Sequence, residues 1–193
     1  AYLNSYYQTG LKNLLDVAVL EHVEVHRELK VGTAFRKVDE IPFDFTRRRM
    51  SVVVAERDHS HLLICKGAVE EVLAVCTRVR HGELDEALSD ELLARIRQVT
   101  ESFNAEGLRV VAVAARPMSE GRDTYSLADE QALTLIGYVA FLDPPKESTA
   151  PALKALAAHG VAVKVLTGDN ELVTAKICRE VGLEQQGLLM GND

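Results

Sequence analysis

Positive charge is in short supply in this chain. Its 22 lysines and arginines face 29 acidic residues, a net charge of -7 over 193 positions. A general affinity for nucleic acid needs a basic face, so that class of partner is set aside. Long apolar runs are missing too: none approaches the ~18 residues that cross a bilayer. The opening Ala1-Tyr-Leu-Asn-Ser5 has no basic region leading into an apolar stretch, so it does not read as a signal peptide. It also lacks methionine, and the chain is expected to be a piece of a longer polypeptide. Cysteine is limited to Cys65, Cys76 and Cys178, with no Cys-x-x-Cys pair, which fits reduced thiols in a cytosolic setting. His22 and His26 stand four apart on an expected helix, and His59 and His61 alternate on an expected strand. Neither pair has a third ligand tied to it, so they are read as surface histidines and no metal site is assigned. Internal repeats and low-complexity tracts are absent.

What is present can fill a core: 47% of residues are apolar and 26% charged. Leu11 to Lys30 has helical spacing, with Leu11, Leu14, Leu15, Ala18 and Val19 on one side. Phe35 to Phe43 reads as extended. Met50 to Ala55 and Leu62 to Cys65 are β-rich runs parted by a polar segment, a hairpin signature. Val69 to Val75 reads as a short helix, and Ser89 to Glu106 as a longer one with Ser89 as N-cap and Gly107 as stop. Leu108 to Ala115 and Leu133 to Leu142 are expected strands, around a polar loop from Arg116 to Glu130. After Asp143-Pro-Pro-Lys146 the order becomes helix, strand, helix, which is α/β with a parallel sheet. The boundary is placed near Leu142. Residues 1–142 are expected to be α+β with an antiparallel sheet. Residues 143–193 are too few for an ordinary domain, and their strand, Val161 to Val165, lacks neighbours.

Several short stretches could carry chemistry. Lys66-Gly67-Ala68 ends a strand and opens a helix: glycine admits close backbone approach, and lysine suits phosphate. A plain turn with a solvated lysine would read the same way. Phe43-Asp-Phe-Thr-Arg-Arg-Arg-Met50 sets two aromatics beside three arginines, suited to a base and its phosphates or to guarding a strand edge. Arg109 interrupts an apolar strand and needs a partner or a wet rim. Asp143 and Asp169 each follow an apolar strand and open a loop into a helix. They suit Mg²⁺ or phosphoryl handling, or a helix N-cap.

Together these stretches carry a resemblance. Phe43 to Met50, Lys66-Gly-Ala68, Gly107-Leu-Arg109, Asp143-Pro-Pro-Lys146 and Thr167-Gly-Asp-Asn170 occur in the order found in P-type ATPases. The chain resembles their nucleotide-binding domain (α+β, an antiparallel sheet flanked by helices), followed by part of their α/β, haloacid dehalogenase-like phosphorylation domain. Ile41 to Phe45, Arg47 to Val54 and Phe141 to Glu147 are similar to bacterial magnesium-transporting members. The resemblance implies that Phe43 stacks on adenine, Arg48 lies near the nucleotide and Lys66 lines the pocket. It implies that Gly67 lets the ring meet backbone and Arg109 reaches the phosphates. Asp16, where many members have Glu, would face the adenine amino group. Thr167, Gly168 and Asp169 would meet the γ-phosphate and its Mg²⁺, and Asp143 would sit on the hinge side. The phosphorylated aspartate, of an Asp-Lys-Thr-Gly-Thr motif absent here, would lie outside the chain. The expected setting is the cytoplasmic side of a bacterial inner-membrane transporter. ATP or ADP and the remaining phosphorylation, actuator and transmembrane domains would be the partners. The piece itself would be monomeric and would bind ATP without hydrolysing it. A soluble aspartyl-phosphate-type phosphatase and a non-catalytic nucleotide-binding module are the competing readings.

Overall fold

A computed structural model describes residues 1–10, 12–57, 60–119, 121–183, 187 and 189. The hairpin forms as its β-branched residues require. Strand β2, Arg49–Glu56, pairs antiparallel with β3, His61–Ala68. Every residue from Met50 to Ala55 is buried, so β2 is covered on both faces, which is why it reads as a continuous apolar run rather than an alternating one. On one face Met50, Val52, Val54 and Ile64 meet Tyr2 and Leu3 of helix α1, Tyr2–Tyr7. On the other face Ser51 meets Glu130. Strand β1, Phe35–Asp44, pairs antiparallel with the outer side of β2.

The sheet has seven strands in the order β1-β2-β3-β6-β7-β4-β5. Here β4 is Cys76–His81, β5 Leu84–Ala87, β6 Leu108–Met118 and β7 Leu133–Leu142. The expectation of an antiparallel sheet needs correction: β4 runs parallel to β7, so the sheet is mixed. The pair is not joined by a turn. The long stretch between them, with helix α6 (Asp90–Ala105) and β6, serves as the crossover that parallel pairing needs. Strands β4 and β5 have mostly exposed side chains and no apolar run to reveal them. Their signal is the two-residue turn between His81 and Leu84, opened by Gly82 at φ 62°.

Two further expectations change. The single helix expected over Leu11 to Lys30 is two, α2 (Leu14–Leu20) and α3 (Val23–Leu29), with a further short helix, α4 (Val31–Ala34), beyond Lys30. Asn13 starts α2 with a capping box to Asp16, and Lys30 breaks the chain at φ 48° between α3 and α4. No strand forms over residues 161–165. Val161 and Val165 are about half exposed, as an apolar strand must be when no neighbouring strand pairs with it.

The chain divides into two compact units, residues 1–93 with 110–139, and residues 94–109 with 140–193. The first holds most of the sheet with α1 to α4 and α5 (Val69–Leu73). The second holds most of α6 together with α7 (Thr149–Ala158) and α8 (Glu171–Glu180). Gly107, at φ 85°, ends α6 as expected, and a side chain there would also meet Lys176 Cγ at 2.9 Å.

Candidate functional site

In the first unit the site begins at the turn between β1 and β2. Asp44 Oδ1 accepts from the amides of Thr46 (2.9 Å) and Arg47 (2.8 Å), an Asx turn that reverses the chain. Arg48 closes it at φ 45°. Phe43 emerges from the β1 end of the turn 51% exposed, edge-on to Phe45 with ring centroids 5.3 Å apart. Two exposed aromatic faces at a turn are available to a flat ligand.

The three arginines part company. Arg47 NH1 and Arg49 Nε donate to Glu130 Oε2 at 2.6 and 2.9 Å, and Ser51 Oγ donates to Glu130 Oε1 at 2.7 Å. The Glu130 side chain is wholly buried. Only Arg48 turns outward, where it pairs with Glu71.

Lys66-Gly67 lies directly behind this turn. The Arg48 carbonyl accepts from the Ala68 amide at 2.9 Å, and a Cβ on Gly67 would stand 2.5 Å from that same carbonyl oxygen. Gly67 is thus required by backbone against backbone, before any ligand is considered. Gly67→Ala is expected to cost about 1–3 kcal/mol, the usual cost of overpacking a site that cannot yield. Urea unfolding measures it, and a midpoint unchanged from wild type would mean the turn does relax.

Lys66 points under α1. Its Nζ donates to Ser5 Oγ at 2.9 Å and to Asp16 Oδ1. Asp16 is 1% exposed and its carboxylate accepts four hydrogen bonds: from Lys66 and Ser5 on Oδ1, from Gln8 Nε2 (2.6 Å) and the Asn13 amide (3.2 Å) on Oδ2. Burial alone would raise the Asp16 pKa, but hydrogen bonds from Lys66, Ser5 and Gln8 outweigh it and hold the carboxyl below its ordinary range. Burial lowers the Lys66 pKa by more than its single carboxylate partner restores. Ser5 and Gln8 had no sequence signal: α1 is a six-residue helix of aromatic and polar residues without an amphipathic period.

The second unit gathers the other predicted residues. Arg109 donates from NH1 to Asp143 Oδ2 at 3.2 Å and pairs through NH2 with Asp169 Oδ1 at 2.7 Å. Its guanidinium carbon lies 5.8 Å from the centroid of the Phe141 ring. All three charged groups are about two-fifths exposed. Neither aspartate caps a helix, for Ser148 and Asn170 hold the N-cap positions of α7 and α8. The Thr167 hydroxyl instead accepts from the Asp169 amide at 3.0 Å, shaping the Thr167-Gly168-Asp169 loop. Gly168 has open space where a side chain would go. One cation flanked by two carboxylates can exchange partners with an incoming phosphate and its metal.

The remaining candidates carry little. His61 is buried, not at the surface, with Nδ1 2.7 Å from the Tyr125 hydroxyl, and His26 Nδ1 lies 3.1 Å from that of Tyr2. His59 lies outside the described residues. Burial pushes the Cys65 thiol up to about 11 and that of Cys76 to about 12, so neither offers a thiolate at neutral pH.

Residues 9–148 match the sequence family described as P-type ATPase, cytoplasmic domain N. The chain belongs to the P-type ATPases. Over all 193 residues it is 56% identical to "Magnesium-transporting ATPase, P-type 1" of Salmonella typhimurium strain LT2, covering 21% of that protein. Identity is also 56% over 193 residues to the protein of that name in Escherichia coli K12, covering 22% of it. A calcium-transporting ATPase of Listeria monocytogenes is 30% identical over 154 residues, 80% of this chain and 17% of that protein. The chain thus spans about a fifth of the length of these relatives. Among the described residues no helix is long and apolar enough to cross a membrane.

Proposed function

We propose that this chain is the ATP-binding part of a magnesium-transporting P-type ATPase. It would position ATP for phosphorylation of an aspartate that the chain does not contain. The ion assignment is supported by the 56% identity along the whole chain to magnesium transporters. The nucleotide assignment rests on one observation above others: the exposed Phe43–Phe45 pair on the turn backed by Lys66-Gly67. In this reading residues 1–142 are the nucleotide-binding domain and residues 143–193 an incomplete phosphorylation domain. The remaining phosphorylation, actuator and transmembrane domains are the intramolecular partners, and the chain faces the cytoplasm.

Each residue then has a task. Phe43 is the platform for adenine, with Arg48 at its edge, and Gly67 leaves room for backbone beneath the ring. Lys66 supplies positive charge under the pocket, held by Asp16. Arg109 is the phosphate cation of the second unit, and Asp143 and Thr167-Gly168-Asp169 are its phosphate and Mg²⁺ groups. Those two carboxylates alone do not make a closed metal site, and no cluster of three candidate ligands occurs among the described residues. The metal would therefore share oxygens with the phosphates, whose charge it would neutralise. Hydrolysis needs an in-line nucleophile as well as that electrostatic preparation.

An ATP titration followed by NMR tests the reading. A dissociation constant of roughly 0.1–1 mM is expected, the strength of one stack and a few exposed phosphate contacts. Phe43→Ala should weaken ATP and ADP alike by about ten- to a hundredfold, since a base–aromatic stack is worth about 1–3 kcal/mol. Unchanged affinity in a folded variant would remove Phe43 from the site. Phosphate release should stay at background at millimolar ATP with Mg²⁺. Turnover that vanishes in Asp169→Asn would favour the phosphatase reading instead.

A further inference from the structure

We propose that Glu71 is a specificity residue of the nucleotide site: by holding the Arg48 guanidinium it competes with the phosphates, and so sets how far affinity rises with phosphate charge. The inference rests on the nucleotide-binding reading above and adds to it the group that a phosphate must displace.

Four cations belong to the turn that presents Phe43 and to the Lys66-Gly67 segment behind it. Three of them are not free to move. Arg47 and Arg49 donate to the buried Glu130 carboxylate. Lys66 points under α1, where Ser5 and Asp16 hold it. Arg48 is the fourth, and its side chain points outward, 56% exposed. A phosphate chain that extends from a base stacked on Phe43 therefore finds one movable cation at this turn. That cation is already taken, for Arg48 NH2 donates to Glu71 Oε1.

The contact is not a chance meeting of two long side chains. Glu71 is the third residue of α5, the helix that follows Lys66-Gly67-Ala68. The turn and that helix are tied together at two points that involve main chain. The Ala68 amide donates to the Arg48 carbonyl at 2.9 Å, and Arg49 NH1 donates to the Glu71 carbonyl at 3.2 Å. The Glu71 backbone is thus fixed beside the arginine run, and its carboxylate reaches Arg48 from a set position. Within this frame the two side-chain ends are what can part.

Parting is within a ligand's reach. The pair stands at the surface, with the Glu71 side chain 27% exposed, so water and salt weaken it. A phosphate offers the guanidinium the same two-point pairing as a carboxylate, and it can carry more charge. Once displaced, Glu71 turns to water and its negative charge stays near the phosphates. The broken pair and the repulsion left behind both bear on the phosphates. Neither touches the stack on Phe43.

Glu71→Gln keeps the size of the side chain and removes its charge. Both proteins are titrated with adenosine, AMP, ADP and ATP in metal-free buffer and followed by NMR. ATP should bind Glu71→Gln roughly three- to fivefold more tightly than wild type, the upper part of what an exposed ion pair is worth. The gain should shrink from ATP to AMP, vanish for adenosine, and fall as salt is raised. The Arg48 Nε–H resonance reports the exchange directly. ATP should shift it in the wild-type chain and adenosine should not, and in ligand-free Glu71→Gln it should already have left its wild-type position. An ATP affinity that Glu71→Gln leaves unchanged or lowers would overturn the proposal; a lowered one would mean that Glu71 aims Arg48 at the phosphates instead of withholding it. An equal gain for adenosine, or an Arg48 resonance indifferent to ATP, would overturn it too. Failure of the wild-type chain to bind any of the four would instead bring down the nucleotide-binding reading itself.

Discussion

Lys66→Ala is expected to cost about 3 kcal/mol or somewhat more of folding stability, within the ~3–5 kcal/mol range for breaking a buried ion pair from one side. The pair is desolvated, with side-chain exposures of 6% for Lys66 and 2% for Asp16. Removing the ammonium strands a carboxylate there. Three neutral donors remain on Asp16, from Ser5, Gln8 and Asn13, so the loss should fall at the lower end of the range. The double variant Lys66→Met with Asp16→Asn should recover most of it, because no charge is then left buried. Urea unfolding of the three proteins at one pH provides the comparison. A single-variant loss below about 1 kcal/mol would show that water reaches the pair and that it behaves as a surface bridge. Acid should act on the same group. The Asp16 pKa is lower folded than unfolded, so its stabilisation is full above the ordinary carboxylate pKa. It is lost as pH falls through the depressed folded value, and Asp16→Asn should flatten that part of the profile.

Much of this arrangement was written in local patterns, and the part that was not has physical reasons. The β2–β3 hairpin followed from β-branched runs around a polar turn, and β7 begins and ends where its apolar run does, at Leu133 and Leu142. Gly107 marked the end of α6 because only a residue tolerant of positive φ fits there. By contrast β4, Cys-Thr-Arg-Val-Arg-His, is an exposed strand held by backbone pairing, and such pairing leaves no apolar period to read. The run Val161 to Val165 looked like a strand because composition reports burial preference, while strand formation needs partners that this stretch does not find. At the site, Arg109 with Asp143 and Asp169 could be anticipated one residue at a time, but not as a triplet. Those contacts join positions 34 and 60 apart in the chain. The four donors on Asp16 come from three segments, and no spacing rule links Ser5 and Gln8 to residue 66.

Glu130 is the sharpest case of a residue that only the fold reveals, and its removal should have the other large effect. In sequence it is one acidic residue in a polar loop. In the structure its side chain has 0% exposure and receives Arg47, Arg49 and Ser51. Glu130→Ala would leave two guanidinium groups, 17% and 13% exposed, without their carboxylate. A stability loss of about 3–5 kcal/mol is expected. Glu130→Gln keeps an oxygen for one donor but not the charge, and should lose less. The effect reaches the nucleotide site through Arg47, which also donates to the Pro42 carbonyl at 2.8 Å and so ties the turn carrying Phe43 and Phe45 to the sheet. Under conditions where the variant is still folded, ATP affinity should fall by severalfold, because a loosened platform must be ordered again on binding. Arg48→Ala offers the contrast: its bond to Glu71 is exposed, so stability should change by less than about 1 kcal/mol. Unfolding midpoints and ATP titrations of Glu130→Ala, Glu130→Gln and Arg48→Ala together decide the matter. Equal stability of Glu130→Ala and wild type would mean that Arg47 and Arg49 find water when the carboxylate goes. In that event the arginine run is a solvated strand edge, and the turn that presents Phe43 is held by its own Asx geometry alone.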